Sequence, residues 1–222
     1  MKIFRNPGRE VLRRLAAAEP ADPRHPYDHR TLPPVVTIYA QSGTGVETIA
    51  PQVAAQLGVP WHDNVIPPEL AARAGLPPDL VADVLHRRRW RRRRRSEPSE
   101  TTGATAGRTP PGAVVVGPAG AVLLRSIPGA LHVQLDGPWE RRIARIMATE
   151  RVDRPSAEQL ARTADRARAA WIRRTFGTTA DDPDLYHLRL DSTAYSMDTC
   201  VDLIVSASNR RTGVTDLAPS WV

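Results

Sequence analysis

Apolar and polar positions along this chain switch between two periods, and each switch marks an element. Val35-Val36-Thr37-Ile38-Tyr39 is a β-branched run that reads as a buried strand. A stretch of small residues, Gln41 to Gly45, follows it. Ile49, Val53 and Leu57 then form one helical stripe. Pro51 is placed in the first turn of that helix, where a missing N–H is tolerated, and Gly58 stops it. A second strand is expected over Ala113 to Val116, ending at Gly117, and a third over Leu131 to Leu135. Trp139 to Glu150 reads as a helix with Ile143 and Met147 on one side. Residues 156–175 read as a longer helix, with Ser156 and Gln159 as a capping pair. Tyr186 to Leu190 is the fourth expected strand. A last helix covers about 197–207, with Ser196 as N-cap and Val201, Ile204 and Val205 on its apolar face. Strands separated by helices predict an α/β fold: one parallel β-sheet flanked by helices, with Val35–Tyr39 near its centre.

The remaining segments lack this regularity. Residues 1–34 form a Pro-rich N-terminal arm, in which Val11, Leu12 and Leu15 allow a short amphipathic turn. It is read either as an arm draped on the surface or as an oligomer-forming one. Leu70 to Leu85 look helical in two pieces broken at Pro77-Pro78. An arginine run follows, Arg87 to Arg89 and Arg91 to Arg95 around Trp90, and residues 96–112 are rich in Ser, Thr, Gly and Pro. The expected organisation is one domain over 35–208, interrupted by an Arg-rich flexible insertion at 86–112 and followed by a tail at 209–222.

Composition narrows the picture. A chain of 222 residues with 41 % hydrophobic residues suits one α/β core. Cys200 is the single cysteine, so no disulfide forms within the chain. No apolar run reaches the length of a membrane helix and no signal-peptide core opens the chain, so a cytoplasmic location is expected and a membrane partner is not. Lysine and arginine total 31 against 24 acidic residues, a net charge of +7, which favours anionic partners. The arginine run Arg87–Arg95 fits either nonspecific nucleic-acid binding, with the Trp90 indole stacking on bases, or a solvated, self-repelling insertion.

The chemistry is concentrated in Ala40-Gln41-Ser42-Gly43-Thr44-Gly45-Val46-Glu47-Thr48, between the first strand and the first helix. Such a corner can wrap backbone N–H groups around phosphate oxygens, and the helix N-terminus adds partial positive charge. Against the pattern G-x-x-x-x-G-K-[ST], Ala40 replaces the first glycine, Val46 the lysine and Glu47 the metal-binding hydroxyl. An ordinary strand–turn–helix corner is the competing reading.

The flanks carry a resemblance. Leu57-Gly58-Val59-Pro60-Trp61-His62-Asp63 after the first helix, Val114-Val115-Val116-Gly117-Pro118-Ala119-Gly120, Asp165-Arg166-Ala167-Arg168 and Leu190-Asp191-Ser192-Thr193 occur in this order. Together, over roughly residues 35–207, they resemble the cytidylate kinase-like family. The resemblance implies a P-loop NTPase fold of the nucleoside monophosphate kinase type. It implies phosphoryl transfer from ATP, with Mg2+, to a nucleoside monophosphate or similar small acceptor. It places Ser42, Gly43, Thr44, Gly45, Val46, Glu47 and Thr48 around the ATP phosphates, and Asp63 where the acceptor region begins. Asp165, Arg166 and Arg168 become catalytic candidates, with Arg168 on the acceptor phosphate. Arg142, Arg145, Arg151 and Arg154 become lid candidates, because cations stabilise a transferring phosphoryl group. Arg166 and Arg168 lie two apart on a helix, so at most one faces the site. Val46 and Glu47 depart from the family's loop and imply weak or remodelled activity. The alternative is a catalytically inactive binding module of the same fold, with the arginine run as a nucleic-acid contact.

Overall fold

The computed structural model describes residues 33–63 and 112–212. The N-terminal arm up to residue 32, the helix pair expected at Leu70 to Leu85, the arginine run Arg87–Arg95 and the last part of the tail lie outside these residues. Chain order within them is β1 (Val35–Ala40), α1 (Val46–Leu57), β2 (Trp61–Asp63), β3 (Ala113–Val116), α2 (Gly120–Leu123), β4 (Leu131–Asp136), α3 (Trp139–Glu150), α4 (Arg154–Phe176), a 3-10 turn (Pro183–Leu185), β5 (Leu188–Asp191) and α5 (Met197–Thr212).

The five strands form one sheet in the order β2-β3-β1-β4-β5, and every pairing is parallel. β1 is the central strand, which explains why all six of its residues are buried. Alternate side chains of β1 enter two cores. Val36 and Ile38 meet Ile49 and Val53 of α1 and Val201 and Ile204 of α5 on one face. Val35 and Tyr39 meet α2, Ile172 and Phe176 on the other. Full burial of a side chain such as Ile38 or Ile49 contributes about 1.5–3 kcal/mol, so these two stripes fix the register of the whole sheet. A third, smaller core joins α3 to α4 through Ile143, Ile146, Ala157 and Ala161. Gly120 lets α2 lie close to β1, because a Cβ there would stand 2.9 Å from the Cβ of Thr37.

The chain leaves β1 toward β2 and β3 on one side and later returns to β4 on the other. That makes the carboxyl end of β1 a topological switch point, where open parallel sheets form their binding crevices.

Several boundaries differ from the sequence reading. β2 adds a fifth strand: Trp61–Asp63 is too short to carry an apolar period and is held by pairing with Val114, Val115 and Val116 of β3. The short helix α2 also carried no periodic signal. Pro51 is the sixth residue of α1, beyond its first turn. It removes the helical hydrogen bond to the carbonyl of Glu47, a residue exposed at the start of the helix. α4 begins at Arg154, and its cap is Asp153, whose carboxylate accepts the Ser156 N–H at 3.1 Å; Ser156 lies inside the first turn. β5 starts at Leu188, because Tyr186 turns into the core beside Leu185. α5 continues to Thr212, past the expected end, with Ser196 Oγ accepting the Thr199 N–H at 3.1 Å.

Candidate functional site

The corner between β1 and α1 is tightly constrained. Gly43 and Gly45 adopt φ values of 82° and 81°, which favour glycine. A Cβ at Gly43 would collide with the Arg142 carbonyl, and one at Gly45 with the Met197 side chain. Thr44 is fully buried, and its hydroxyl donates to the Gln41 carbonyl at 2.7 Å. Ser192, just after β5, donates its hydroxyl to the Thr44 carbonyl at 2.8 Å. The loop is therefore clasped by α3 on one side and by the β5–α5 connection on the other. Among the described residues, the N–H groups of Gly43, Gly45, Val46 and Glu47 have no backbone acceptor.

Arginines from two helices converge on this loop. Arg142 is buried, with its Nη1 donating to the Ser42 carbonyl and to Asp165 Oδ2, each at 2.9 Å. Its Nε donates to the Gly137 carbonyl at 3.0 Å, and its guanidinium lies 5.3 Å from the Trp139 ring centre. Arg145 lies one turn further along α3. It donates to the Thr44 carbonyl at 2.9 Å and to the Ser192 carbonyl at 3.2 Å. From α4, Arg168 Nη2 donates to Ser42 Oγ and to Asp165 Oδ1, both at 2.6 Å. Asp165 Oδ1 also accepts the Ser42 backbone N–H at 2.9 Å. Burial pushes the Asp165 carboxyl up, but the Ser42 N–H, the Arg142 hydrogen bond and the Arg168 charge together hold it below the usual carboxylate range.

The structure thus brings Ser42, Gly43, Thr44 and Gly45 together with Arg142, Arg145, Asp165 and Arg168. Val46 packs against the core that contains Ile49, while Glu47 and Thr48 open α1 exposed to solvent. Asp63 ends β2 opposite Val116 of β3, at the carboxyl side of the sheet. Arg151 closes α3 with φ 56° and is exposed. Arg154 is bound by Glu140 at 2.7 Å and Glu158 at 2.9 Å, also exposed. Arg166 is exposed, and Arg168 is the member of that pair at the loop.

Sequence reasoning missed Ser192 and Met197 as partners of the loop. The Leu190–Thr193 segment was the available signal, since Ser192 sits inside it. It also missed a buried polar row on the α4 side of the sheet. Gln134 of β4 stands beside Tyr39 in register, and its amide has no partner among the described residues. Burial pushes the Tyr39 hydroxyl up to about 12, so it stays protonated. At the opposite end of β4, the His132 and His187 rings stack with centres 4.8 Å apart. His132 Nδ1 and Thr37 Oγ1 share a hydrogen bond of 2.8 Å. Cys200 is buried, and burial raises its thiol, so it serves as core and not as a nucleophile. No helix among the described residues is long and apolar enough to cross a membrane.

A sequence model of the cytidylate kinase-like family matches residues 35–194. Among solved structures, the chain is similar to an uncharacterized protein from Eubacterium ventriosum ATCC 27560, at 16 % identity and a TM-score of 0.58, covering 80 % of this chain and 99 % of that one. That likeness is one of fold. A gluconokinase from Sinorhizobium meliloti 1021 aligns at 18 % identity and a TM-score of 0.46, covering 82 % of this chain and 95 % of that one. Comparison with curated proteins gives no match.

Proposed function

The chain belongs to the cytidylate kinase-like family, and from that premise we propose that it binds ATP at the loop after β1 and transfers a phosphoryl group to a nucleoside monophosphate or a similar small acceptor. The observation that carries this reading is the convergence of Arg142, Arg145 and Arg168 on the Ser42–Gly45 corner at the switch point of the sheet. Phosphoryl transfer needs little more than positioning and charge neutralisation, and three cations around a loop whose Gly43, Gly45, Val46 and Glu47 N–H groups have no backbone acceptor among the described residues supply both.

Arg145 answers the missing lysine. Its Nη1 would lie 3.3 Å from a Cβ on Gly45, the residue before Val46, so its positive charge stands beside the start of α1. Arg168 is the acceptor-phosphate candidate, because its Nε is buried and has no partner among the described residues. Asp165 pairs with both Arg142 and Arg168, which also bond to Ser42 directly.

No group of three or more His, Cys, Asp or Glu among the described residues could hold a metal ion. Mg2+ would then be carried on the substrate phosphates with its own waters. When bound, Mg2+ neutralises charge on the phosphates. In the reaction, an acceptor oxygen bonds to the terminal phosphorus while the bridging oxygen leaves on ADP. The test is 31P NMR of ATP and Mg2+ incubated with the protein and each nucleoside monophosphate. ADP and a nucleoside diphosphate should accumulate together with at least one acceptor. No ADP above the protein-free rate with any acceptor overturns the proposal.

A further inference from the structure

The Asp165 carboxylate occupies the mouth of the phosphate-binding corner. One oxygen accepts the Ser42 backbone N–H at 2.9 Å and Arg168 Nη2 at 2.6 Å, and the other accepts Arg142 Nη1 at 2.9 Å. These are an amide N–H of the loop and two guanidinium groups. That is the donor set a phosphoryl oxygen requires, because a carboxylate oxygen and a phosphate oxygen are the same kind of anionic acceptor. The seat also holds more donor capacity than the carboxylate uses. Arg168 Nε is buried and unpartnered among the described residues. A phosphoryl group presents three acceptor oxygens where a carboxylate presents two, so it can reach a donor that Asp165 leaves idle.

The surrounding framework lets the side chain move without the helix. α4 is anchored at one end by Ala157 and Ala161 against Ile143 and Ile146, and near the other by Ile172 and Phe176 in the sheet core. Arg142 keeps the Gly137 and Ser42 carbonyls as partners when the carboxylate leaves. The Asp165 side chain is 22 % exposed, so solvent already reaches it and a rotamer change suffices to hydrate it.

We propose that Asp165 is a built-in competitor for the phosphate seat, which a polyphosphate must displace from Ser42, Arg142 and Arg168 before it can bind. The inference deepens the proposed function and rests on its assignment of the loop to phosphates. The competition is between two anions for one set of donors, with no covalent step. Because its partners hold the carboxyl below the usual range, Asp165 is charged and competing at neutral pH.

Inorganic tripolyphosphate is the probe. Calorimetric titration at low salt should show Asp165→Asn and Asp165→Ala binding it at least tenfold more tightly than the wild type. In the wild type, the Ser42 amide resonance should shift on titration, as the N–H exchanges one acceptor for another. Equal or weaker binding by variants that melt cooperatively overturns the inference, as does a Ser42 resonance unmoved at saturation. Should both variants fail to fold, the wild-type resonance decides alone. Tighter binding by the variants with no transfer from ATP by the wild type sinks the proposed function and leaves this inference standing. Absence of tripolyphosphate binding in every form overturns both.

Discussion

Ser42 and Asp165, 123 positions apart in the chain, are joined by a 2.9 Å hydrogen bond from the backbone N–H of the first to the carboxylate of the second. The contact ties the loop after the central strand to the middle of α4. It also makes Arg142 a structural residue of the site as much as a chemical one. Arg142→Ala should leave the partly buried Asp165 carboxylate and the Gly137 and Ser42 carbonyls short of a donor. The expected cost is about 1–3 kcal/mol, because hydrogen bonds from a charged donor are lost while Asp165 keeps Arg168 and the Ser42 N–H. Thermal denaturation should show a drop in midpoint, whereas Arg154→Ala, which removes an exposed pair, should leave the midpoint where it was.

Gly43 and Gly45 should not tolerate alanine. Both combine a positive φ with a direct obstruction, the Arg142 carbonyl for one and Met197 for the other. The Gly43 obstruction is backbone and cannot yield, while the Met197 side chain can swing aside. Gly43→Ala should therefore lose more stability than Gly45→Ala, read from urea midpoints of the two variants. The reverse order would contradict the packing of α3 on the loop.

Stability should fall as the solution becomes mildly acidic. Burial holds His132 down to about 3, with His187 and Arg211 adding repulsion. Burial also lowers His187, with Arg211 the further cause. Both folded values lie below the unfolded 6.5, so the unfolded chain binds more protons below that pH. The contribution is complete above pH 6.5 and is lost progressively below it, by on the order of 2 kcal/mol from His132 alone at pH 5. Asp165 acts with the same sign in a lower window, since its folded value is depressed from the ordinary 3.8. Urea midpoints at pH 7.5 and 5.5 should differ for the wild type and differ less for His132→Leu.

Much of this architecture was legible in the sequence because two signals are local. The β-branched run at Val35–Tyr39 announced a central strand, and the helical stripe at Ile49 and Val53 announced the helix that covers it. Order and spacing of the four flanking motifs pointed to the family. What was not legible depends on tertiary partners. Trp61–Asp63 becomes a strand only because β3 offers it an edge. Arg145 and Arg154 are both arginines on neighbouring helices, and nothing in their local sequence says that one reaches Thr44 and the other Glu140 and Glu158. The same holds for Ser192, which the sequence offered only as part of the Leu190–Thr193 segment and which is a clasp on the loop.

The loop itself gives a gain-of-affinity prediction. Val46 brings no charge and Glu47 adds a negative one at the start of α1. Val46→Lys combined with Glu47→Ser should strengthen ATP binding about tenfold or more, measured by calorimetry, since a charge-assisted hydrogen bond replaces a repulsion. Weaker binding by the double variant would mean that Val46 and Glu47 are fitted to a different ligand.

ATP binding at this loop, with Arg145 in place of the missing lysine, is tested by calorimetric titration of ATP, with and without Mg2+, into the wild type, Arg145→Ala and Arg154→Ala. The wild type should bind, Arg145→Ala should lose at least tenfold in affinity, and Arg154→Ala should keep the wild-type affinity. No binding by the wild type under either condition, or equal affinity in Arg145→Ala and the wild type, would contradict this assignment.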